Sequence, residues 1–277
     1  MIKEITNQLA ILGHPQRISV FRMLMRRFPD TVPAGELSSE LGIKPSTLSN
    51  YLNALQRSGL VSQTRSGTSL LYSVEMKNVQ RMLDFLIVDC CRGRPDLCMP
   101  FTQGGDAMTD RKFSVLFICV GNSARSIFAE TLLREIAGDK FNVFSAGTQP
   151  NSKLNPFALH ILNEKGHDTS VLRSKNISEF TGSDAPEMDF VFTVCNQAAN
   201  EECPPWEGQP ISGHWGMVDP VKATGTDAEK SLAFQNAYGA LKRRIEAFTS
   251  LPVESLDRIA LQSAVDDIGR TPSEEMT

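Results

Sequence analysis

The run Cys119-Val120-Gly121-Asn122-Ser123-Ala124-Arg125-Ser126 separates a cysteine from an arginine by five residues, directly after an apolar run and directly before a helical pattern. A loop with this spacing is suited to hold an oxyanion. Its backbone N–H groups turn inward, as in nests at helix N-termini, and cradle the oxygens of a tetrahedral anion. Oxyanion binding is therefore assigned to Val120, Gly121, Asn122, Ser123, Ala124, Arg125 and Ser126. Arg125 adds a planar two-pronged clamp that a lysine does not reproduce. The same dipole and charge favour a thiolate at Cys119, which makes that sulfur a nucleophile placed beneath the anion. Gly121 permits the close turn.

The six cysteines fall into two groups, Cys90, Cys91 and Cys98, then Cys119, Cys195 and Cys203. The N-terminus, Met1-Ile2-Lys3-Glu4, has no apolar signal core, which predicts a cytoplasmic chain. A reducing compartment argues against a disulfide framework and for metal binding or catalysis. No apolar run approaches the roughly 20 residues of a membrane-spanning helix, and 41% hydrophobic with 22% charged residues excludes a disordered chain. The net charge of −4 conceals an asymmetry: residues 1–80 hold nine Lys and Arg against five Asp and Glu, whereas the remainder is acidic. The first segment is the one that could meet nucleic acid.

The elements that must position these residues change character near residue 100. Ile18, Phe21, Met25 and Phe28 recur at helical spacing up to Pro29-Asp30; Ala34, Leu37 and Leu41 predict a short helix closed by Gly42. Ser46 is placed to cap a third helix with Leu48, Leu52 and Leu55 on its apolar side, stopped by Gly59. Leu60–Thr64 and Thr68–Val74 around Arg65-Ser66-Gly67 predict a hairpin, the wing. Val79, Met82, Leu83 and Leu86 mark a further helix running out at Gly93 and Pro95. In a helix-turn-helix the second helix enters the major groove, so Ser46, Thr47, Ser49, Asn50 and Tyr51 are the candidate DNA-reading residues, with Arg65 of the wing facing phosphates.

Beyond a linker the order becomes strand and helix in alternation: Phe113–Val120, Ser126–Ala137, Phe141–Ser145, Pro156–Lys165, Phe190–Val194 and Glu229–Phe248. The expected fold is thus multidomain, a mainly α winged helix-turn-helix with a β-hairpin followed by a doubly wound parallel α/β layer. Its boundaries are residues 1–100, a linker at 101–112, the α/β domain at 113–252, and a last helix and tail at 253–277 with Leu256, Ile259 and Ala260 on one side.

Two family resemblances rest on these residues. Leu12-Gly13-His14-Pro15-Gln16-Arg17, Leu37-Ser38-Ser39-Glu40-Leu41-Gly42, Thr47-Leu48-Ser49-Asn50-Tyr51-Leu52 and Ser58-Gly59-Leu60-Val61, in that order, resemble the ArsR family of winged-helix repressors over residues 5–98. The resemblance implies a homodimer, with its first and last helices at the interface, that leaves operator DNA when a metal or metalloid binds. The family's better-known cysteine cluster is missing, because residues 34–43 contain no cysteine. Cys90, Cys91 and Cys98 instead resemble the variant with vicinal cysteines in the terminal helix. Arsenite is a soft three-coordinate centre, so three converging thiolates are its expected site. His14 is read as a helix-start residue rather than a ligand.

The Cys119 loop and its flanks resemble the low-molecular-weight phosphatase fold over about residues 113–250. That resemblance implies a hydrogen bond from Ser126 to the cysteine and a late aspartate as general acid, matched by Asp219 in His214-Trp215-Gly216-Met217-Val218-Asp219-Pro220. No aromatic occurs in Val221-Lys222-Ala223-Thr224-Gly225 to wall a phosphotyrosine. The polar loop from Cys195 to Cys203, with the stretch through Trp206 and Trp215, looks like the arsenate reductases of this fold.

That likeness implies a relay of Cys119, Cys195 and Cys203, re-reduced by thioredoxin or by glutathione and glutaredoxin. Cys195 and Cys203 lie eight positions apart, one more than in the thioredoxin-coupled relatives, so the donor stays open. Asn122, Glu130 and Ser145 match positions that bind potassium in some relatives; no tightly bound cofactor is otherwise expected. Two alternatives remain at this point: a tyrosine phosphatase joined to a regulator, and a DNA-binding sensor whose second half only binds oxyanion.

Overall fold

The computed structural model describes residues 2–90, 111–182, 184–201, 206 and 208–271. The chain divides into two compact units, Met1–Ala107 and Met108–Thr277. No helix among the described residues is long and apolar enough to cross a membrane.

In the first unit, α1 (Ile2–Leu12), α2 (Pro15–Arg27), α3 (Ala34–Leu41) and α4 (Pro45–Arg57) precede a small antiparallel sheet and α5 (Met76–Asp84). The sheet has the order β1-β3-β2, with β1 Val32–Pro33, β2 Val61–Ser66 and β3 Ser69–Val74. Leu48, Leu52 and Leu55 of α4 meet Leu37, Val20, Met23 and Leu24 in one core.

Three expectations need correction here. Ser46 does not cap α4; the cap position is Lys44 and Pro45 is the first helical residue, because a proline's missing N–H and fixed φ suit that place. The buried side of α2 is Val20, Met23, Leu24 and Arg27, while Ile18 is exposed, since the helix is apolar over more than one face and spacing cannot choose between them. The wing turn is Gly67-Thr68, and Arg65 lies within β2, paired with Leu70. Helix α1 and strand β1 were not anticipated.

The second unit is a four-stranded sheet in the order β5-β4-β6-β7, parallel throughout. Its strands are β4 (Phe113–Cys119), β5 (Phe141–Gly147), β6 (Phe190–Thr193) and β7 (Ile211–His214). All seven residues of β4 are buried, the pattern of a central parallel strand covered on both faces. Helices α6 (Arg125–Ala137), α7 (Pro156–Glu164), α8 (Asn196–Asn200), α9 (Asp227–Thr249) and α10 (Arg258–Gly269) alternate with and follow the strands. A capping box, Thr226 with Glu229, starts α9.

Helix α10 corrects another expectation. Ile259 is 80% exposed and the buried face is Leu261, Val265 and Ile268, because Asp257 caps the helix and the Leu256–Ala260 stretch straddles its first turn. The helix belongs to the same core as the sheet.

Candidate functional site

Strand β4 ends at Cys119 and α6 begins at Arg125, so the loop between them lies at the carboxyl edge of the sheet, where ligands of open α/β folds bind. A second segment braces it. The N–H groups of Thr148, Gln149, Asn151 and Asn155 donate to the carbonyls of Cys119, Val120, Gly121 and Ser123 at 3.1, 2.9, 2.8 and 3.0 Å. With those carbonyls held on the outside, the loop's own N–H groups are left for an anion. Gly147 at the start of this brace has no alternative, because a Cβ there would collide with the Val120 carbonyl. The sequence carried no periodic signal for the brace, which is all loop.

Around the sulfur the hydrogen bonds have one consistent direction. The N–H of Lys175 donates to Asn122 Oδ1 at 2.7 Å, which fixes the amide's orientation. Asn122 Nδ2 then donates to Ser126 Oγ and Ser145 Oγ, both at 2.8 Å. Having accepted from Asn122, the Ser126 hydroxyl is directed at Cys119 Sγ, 2.9 Å away, and the Asn122 N–H donates to the same sulfur at 3.2 Å. Asn122 adopts a positive φ of 41° to make both sets of contacts. Asparagine tolerates that left-handed backbone better than most residues.

Arg125 is buried and reaches across the loop to the segment after β7. Its Nη2 lies 2.8 Å from Asp219 Oδ2, and its Nη1 donates to the Met217 carbonyl at 3.4 Å. Asp219 also accepts from the N–H of Val221 at 3.2 Å, so the Asp-Pro turn aims its carboxylate. Cradle, cysteine and carboxylate are thereby brought together from positions about a hundred residues apart.

Cys195 is buried at the N-cap of α8, its sulfur accepting from the Ala198 N–H at 3.3 Å. Burial pushes its thiol pKa above the ordinary 9.0; the Arg125 charge pulls the other way and Cys119 adds to the rise. The Val194 N–H donates to the Ile118 carbonyl at 2.8 Å, so Cys195 follows the strand that lies alongside β4, whose end is Cys119. Cys203 lies outside the described residues. Sequence reasoning missed His214 as a site residue: it is buried, with Nδ1 2.8 Å from Thr193 Oγ1 and Nε2 3.2 Å from Asn196 Oδ1, next to Cys195.

Asn122, Glu130 and Ser145 do come together, but the group does not fit a potassium ion. The Lys175 ammonium sits 2.9 Å from Glu130 Oε2, Ser145 donates to that oxygen, and Arg134 takes Oε1. The carboxylate is already neutralised by side chains, and the Asn122 oxygen is spent on Lys175.

In the first unit, Ser46, Ser49 and Asn50 are exposed on α4, at spacings that share one face. Asn53 and Arg57, also exposed, continue that row and were not anticipated. Thr47 is half-buried. Tyr51 packs on His14, ring centroids 5.1 Å apart, and its hydroxyl is bonded to Gln16. His14 caps α2, accepting from the Gln16 N–H at 3.2 Å. Arg65 is exposed on the wing. Cys90 is exposed at the end of the turn that continues α5, while Cys91 and Cys98 lie outside the described residues. Among the described residues no three His, Cys, Asp or Glu converge to hold a metal.

Comparison with known proteins gives the class of each half. Residues 114–259 match the family model of the low molecular weight phosphotyrosine protein phosphatases, and residues 12–64 match a helix-turn-helix domain. Over 137 residues the chain is 38% identical to the arsenate reductase of Bacillus licheniformis, covering 50% of this chain and 95% of that protein. It is 37% identical over 134 residues to that of Halalkalibacterium halodurans, covering 48% and 93%, and 36% over 135 residues to that of Bacillus subtilis, covering 48% and 93%. The chain belongs to the low molecular weight phosphotyrosine protein phosphatase family, among its arsenate reductases, with a helix-turn-helix domain ahead of the family's fold.

Proposed function

We propose that this chain is a bifunctional arsenic-resistance protein of the cytoplasm, an arsenite-responsive transcriptional repressor joined to a thiol-dependent arsenate reductase. The observation that carries the enzymatic half is the convergence on one anion cradle of Cys119, the Ser126 hydroxyl at 2.9 Å and the Arg125–Asp219 pair at 2.8 Å, with Cys195 at the end of the strand paired alongside β4.

Arsenate enters the cradle, where it competes with Asp219 for the Arg125 guanidinium. The Cys119 thiolate attacks arsenic and an S–As bond forms; Asp219, displaced from Arg125, takes a proton from the incoming arsenate monoanion and passes it to the hydroxyl that leaves as water. Cys195 then attacks the Cys119 sulfur, its thiol proton passing to an oxygen of the departing arsenic. An S–S bond forms, the S–As bond breaks, and its electron pair departs with arsenic as arsenite. Cys203 attacks Cys195, releasing the Cys119 thiolate and leaving a Cys195–Cys203 disulfide. A cellular dithiol, thioredoxin or glutathione with glutaredoxin, reduces that bond. No resident ion enters this reading; Lys175 supplies the positive charge beside Glu130.

The N-terminal half would bind operator DNA through the exposed row on α4 and Arg65, and release it when Cys90, Cys91 and Cys98 take up arsenite. A homodimer through α1 and α5 agrees with the exposed Ile2, Leu9, Leu83 and Val88 on those helices and the turn after α5.

Arsenite production by the purified chain, beside its Cys119→Ser, Cys195→Ser and Cys203→Ser variants, tests the relay. The first variant is expected to form no adduct, the second to stop at the Cys119 arsenic adduct, and the third at a Cys119–Cys195 disulfide, each read by intact mass. Full turnover without Cys195 would sink the sequence of steps.

A further inference from the structure

Helix α10 lies almost wholly beyond residue 259, where the family match ends, and nothing in the relay uses it. Its polar contacts are nevertheless concentrated on one stretch of chain. Arg258 donates to the Gln209 carbonyl and Gln262 Nε2 to the Ser212 carbonyl at 2.7 Å, while Trp215 Nε1 donates to the Val265 carbonyl at 3.2 Å. The approach at Gly213 is close enough that a Cβ would lie 2.7 Å from a Val265 methyl.

Arg244, on α9, completes the attachment. Its buried guanidinium donates to the carbonyls of Trp215 and Gly216 at 2.9 and 3.2 Å and to those of Gly269 and Thr271 at 3.5 and 3.0 Å. The second pair belongs to the end of α10, where unpaired carbonyls and the helix dipole both favour a cation. One side chain therefore ties the end of the appended helix to the residues just after β7.

Residues 209–216 run directly into the loop whose Met217 carbonyl and Asp219 carboxylate meet Arg125. The cradle has other supports, namely β4, α6 and the brace at 148–155. We propose that α10 and Arg244 position the Asp219 loop against the cradle, and that the cradle's own shape does not depend on them. The inference rests on Asp219 being the proton donor. Both elements are positioning elements; neither touches the reacting atoms. A displacement of about 1 Å in a proton donor costs on the order of a hundredfold in rate, so a modest loosening of this loop should be visible.

The test is a single turnover of the fully reduced protein, read as arsenite released, which needs no external reductant. Cys119 alkylation by iodoacetamide, and its protection by inorganic phosphate, reports on the cradle separately. In the chain shortened to end at residue 256, arsenite release should slow by about 10–100-fold. Half-saturation by arsenate, the alkylation rate and phosphate protection should stay within about threefold. In the full-length chain, Arg258→Ala with Gln262→Ala removes the links to the Gln209 and Ser212 carbonyls, together with the Gln262–Asp266 bond inside α10, and should give the same pattern at about 3–10-fold.

Adding Asp219→Asn to the shortened chain should cost much less than it does in the intact chain, because the two changes act on one step. If the shortened chain loses phosphate protection, the full-length double variant decides alone. Unchanged release in that variant overturns the proposal, as does a full, additive Asp219→Asn cost in a shortened chain that keeps its protection. Should Asp219→Asn leave release unchanged in the intact chain, the proton-donor reading falls and this inference with it; a large Asp219→Asn cost with unaffected α10 variants removes this inference alone.

Discussion

The residues of the anion cradle and those proposed to read DNA have opposite relations to water. Asn122, Ser123, Arg125 and Ser126 are all buried, and each side chain has a hydrogen-bond or ion-pair partner, the Ser123 hydroxyl accepting from Asn151 Nδ2 at 3.1 Å. Ser46, Ser49, Asn50 and Arg65 are exposed. The difference fits the task proposed for each surface. A nucleophile and its electrostatic clamp gain most where fixed dipoles replace water before the anion arrives. A surface that reads a duplex must stay solvated until the duplex displaces that water, and its energy comes from many small contacts. Single substitutions should therefore act abruptly in the first region and by degrees in the second.

The largest effect that would sharpen this contrast is expected for Arg125→Lys, which keeps the charge and loses the fork that spans Asp219 and the Met217 carbonyl. Arsenite production should fall by about 100–1,000-fold, the range for losing one preorganised oxyanion donor. A loss under tenfold would mean that charge alone suffices, and the cradle would then be no more exacting than the reading face. On that face Arg65→Ala should weaken DNA binding by a few-fold for every sequence and lower the salt slope by about one, as expected of one phosphate contact. Titration of operator and unrelated duplex at several salt concentrations separates this from base reading; a loss confined to one sequence would move Arg65 to the base-reading group.

Cys195 lies between the two extremes, buried yet not activated, and gives the smallest effect. Its raised pKa means that the native state keeps the thiol proton after the unfolded chain has released its own. The stabilising contribution is complete below the ordinary thiol value of 9.0 and is lost as pH rises toward the native value. Under reducing conditions, any thermal-stability advantage of wild type over Cys195→Ala should narrow from about pH 9 upward by no more than about 2–4 °C per kcal/mol lost. A constant gap across that range would mean the sulfur is not held neutral by burial.

The clearest parts of the sequence were those whose chemistry is local. Cys119 to Ser126 is contiguous, so the cradle, its cysteine and its arginine could all be read in one line, and the alternation of β4, α6 and β5 is written in short apolar runs. The helix-turn-helix was legible for the same reason, through Leu37, Leu48, Leu52 and Leu55 and the closing Gly42. Where local signals compete, reading failed: at α2, which is apolar on two faces; at Pro45, which claimed the helix start from Ser46; and at Leu256–Ala260, which spans a cap.

Residue order by itself determined that this chain holds a helix-turn-helix and a cysteine-arginine anion loop, because each is written in adjacent residues and needs no partner from elsewhere to be recognised. Only the tertiary structure decided that Arg125 meets Asp219, that residues 148–155 hold the cradle's carbonyls, that Lys175 faces Glu130, and that Arg244 ties α10 to the residues just before the Asp219 loop. Each of those is a contact between segments far apart in the chain. Their positions are set by packing around the buried sheet, and pairings of that range leave no periodic trace in composition or spacing.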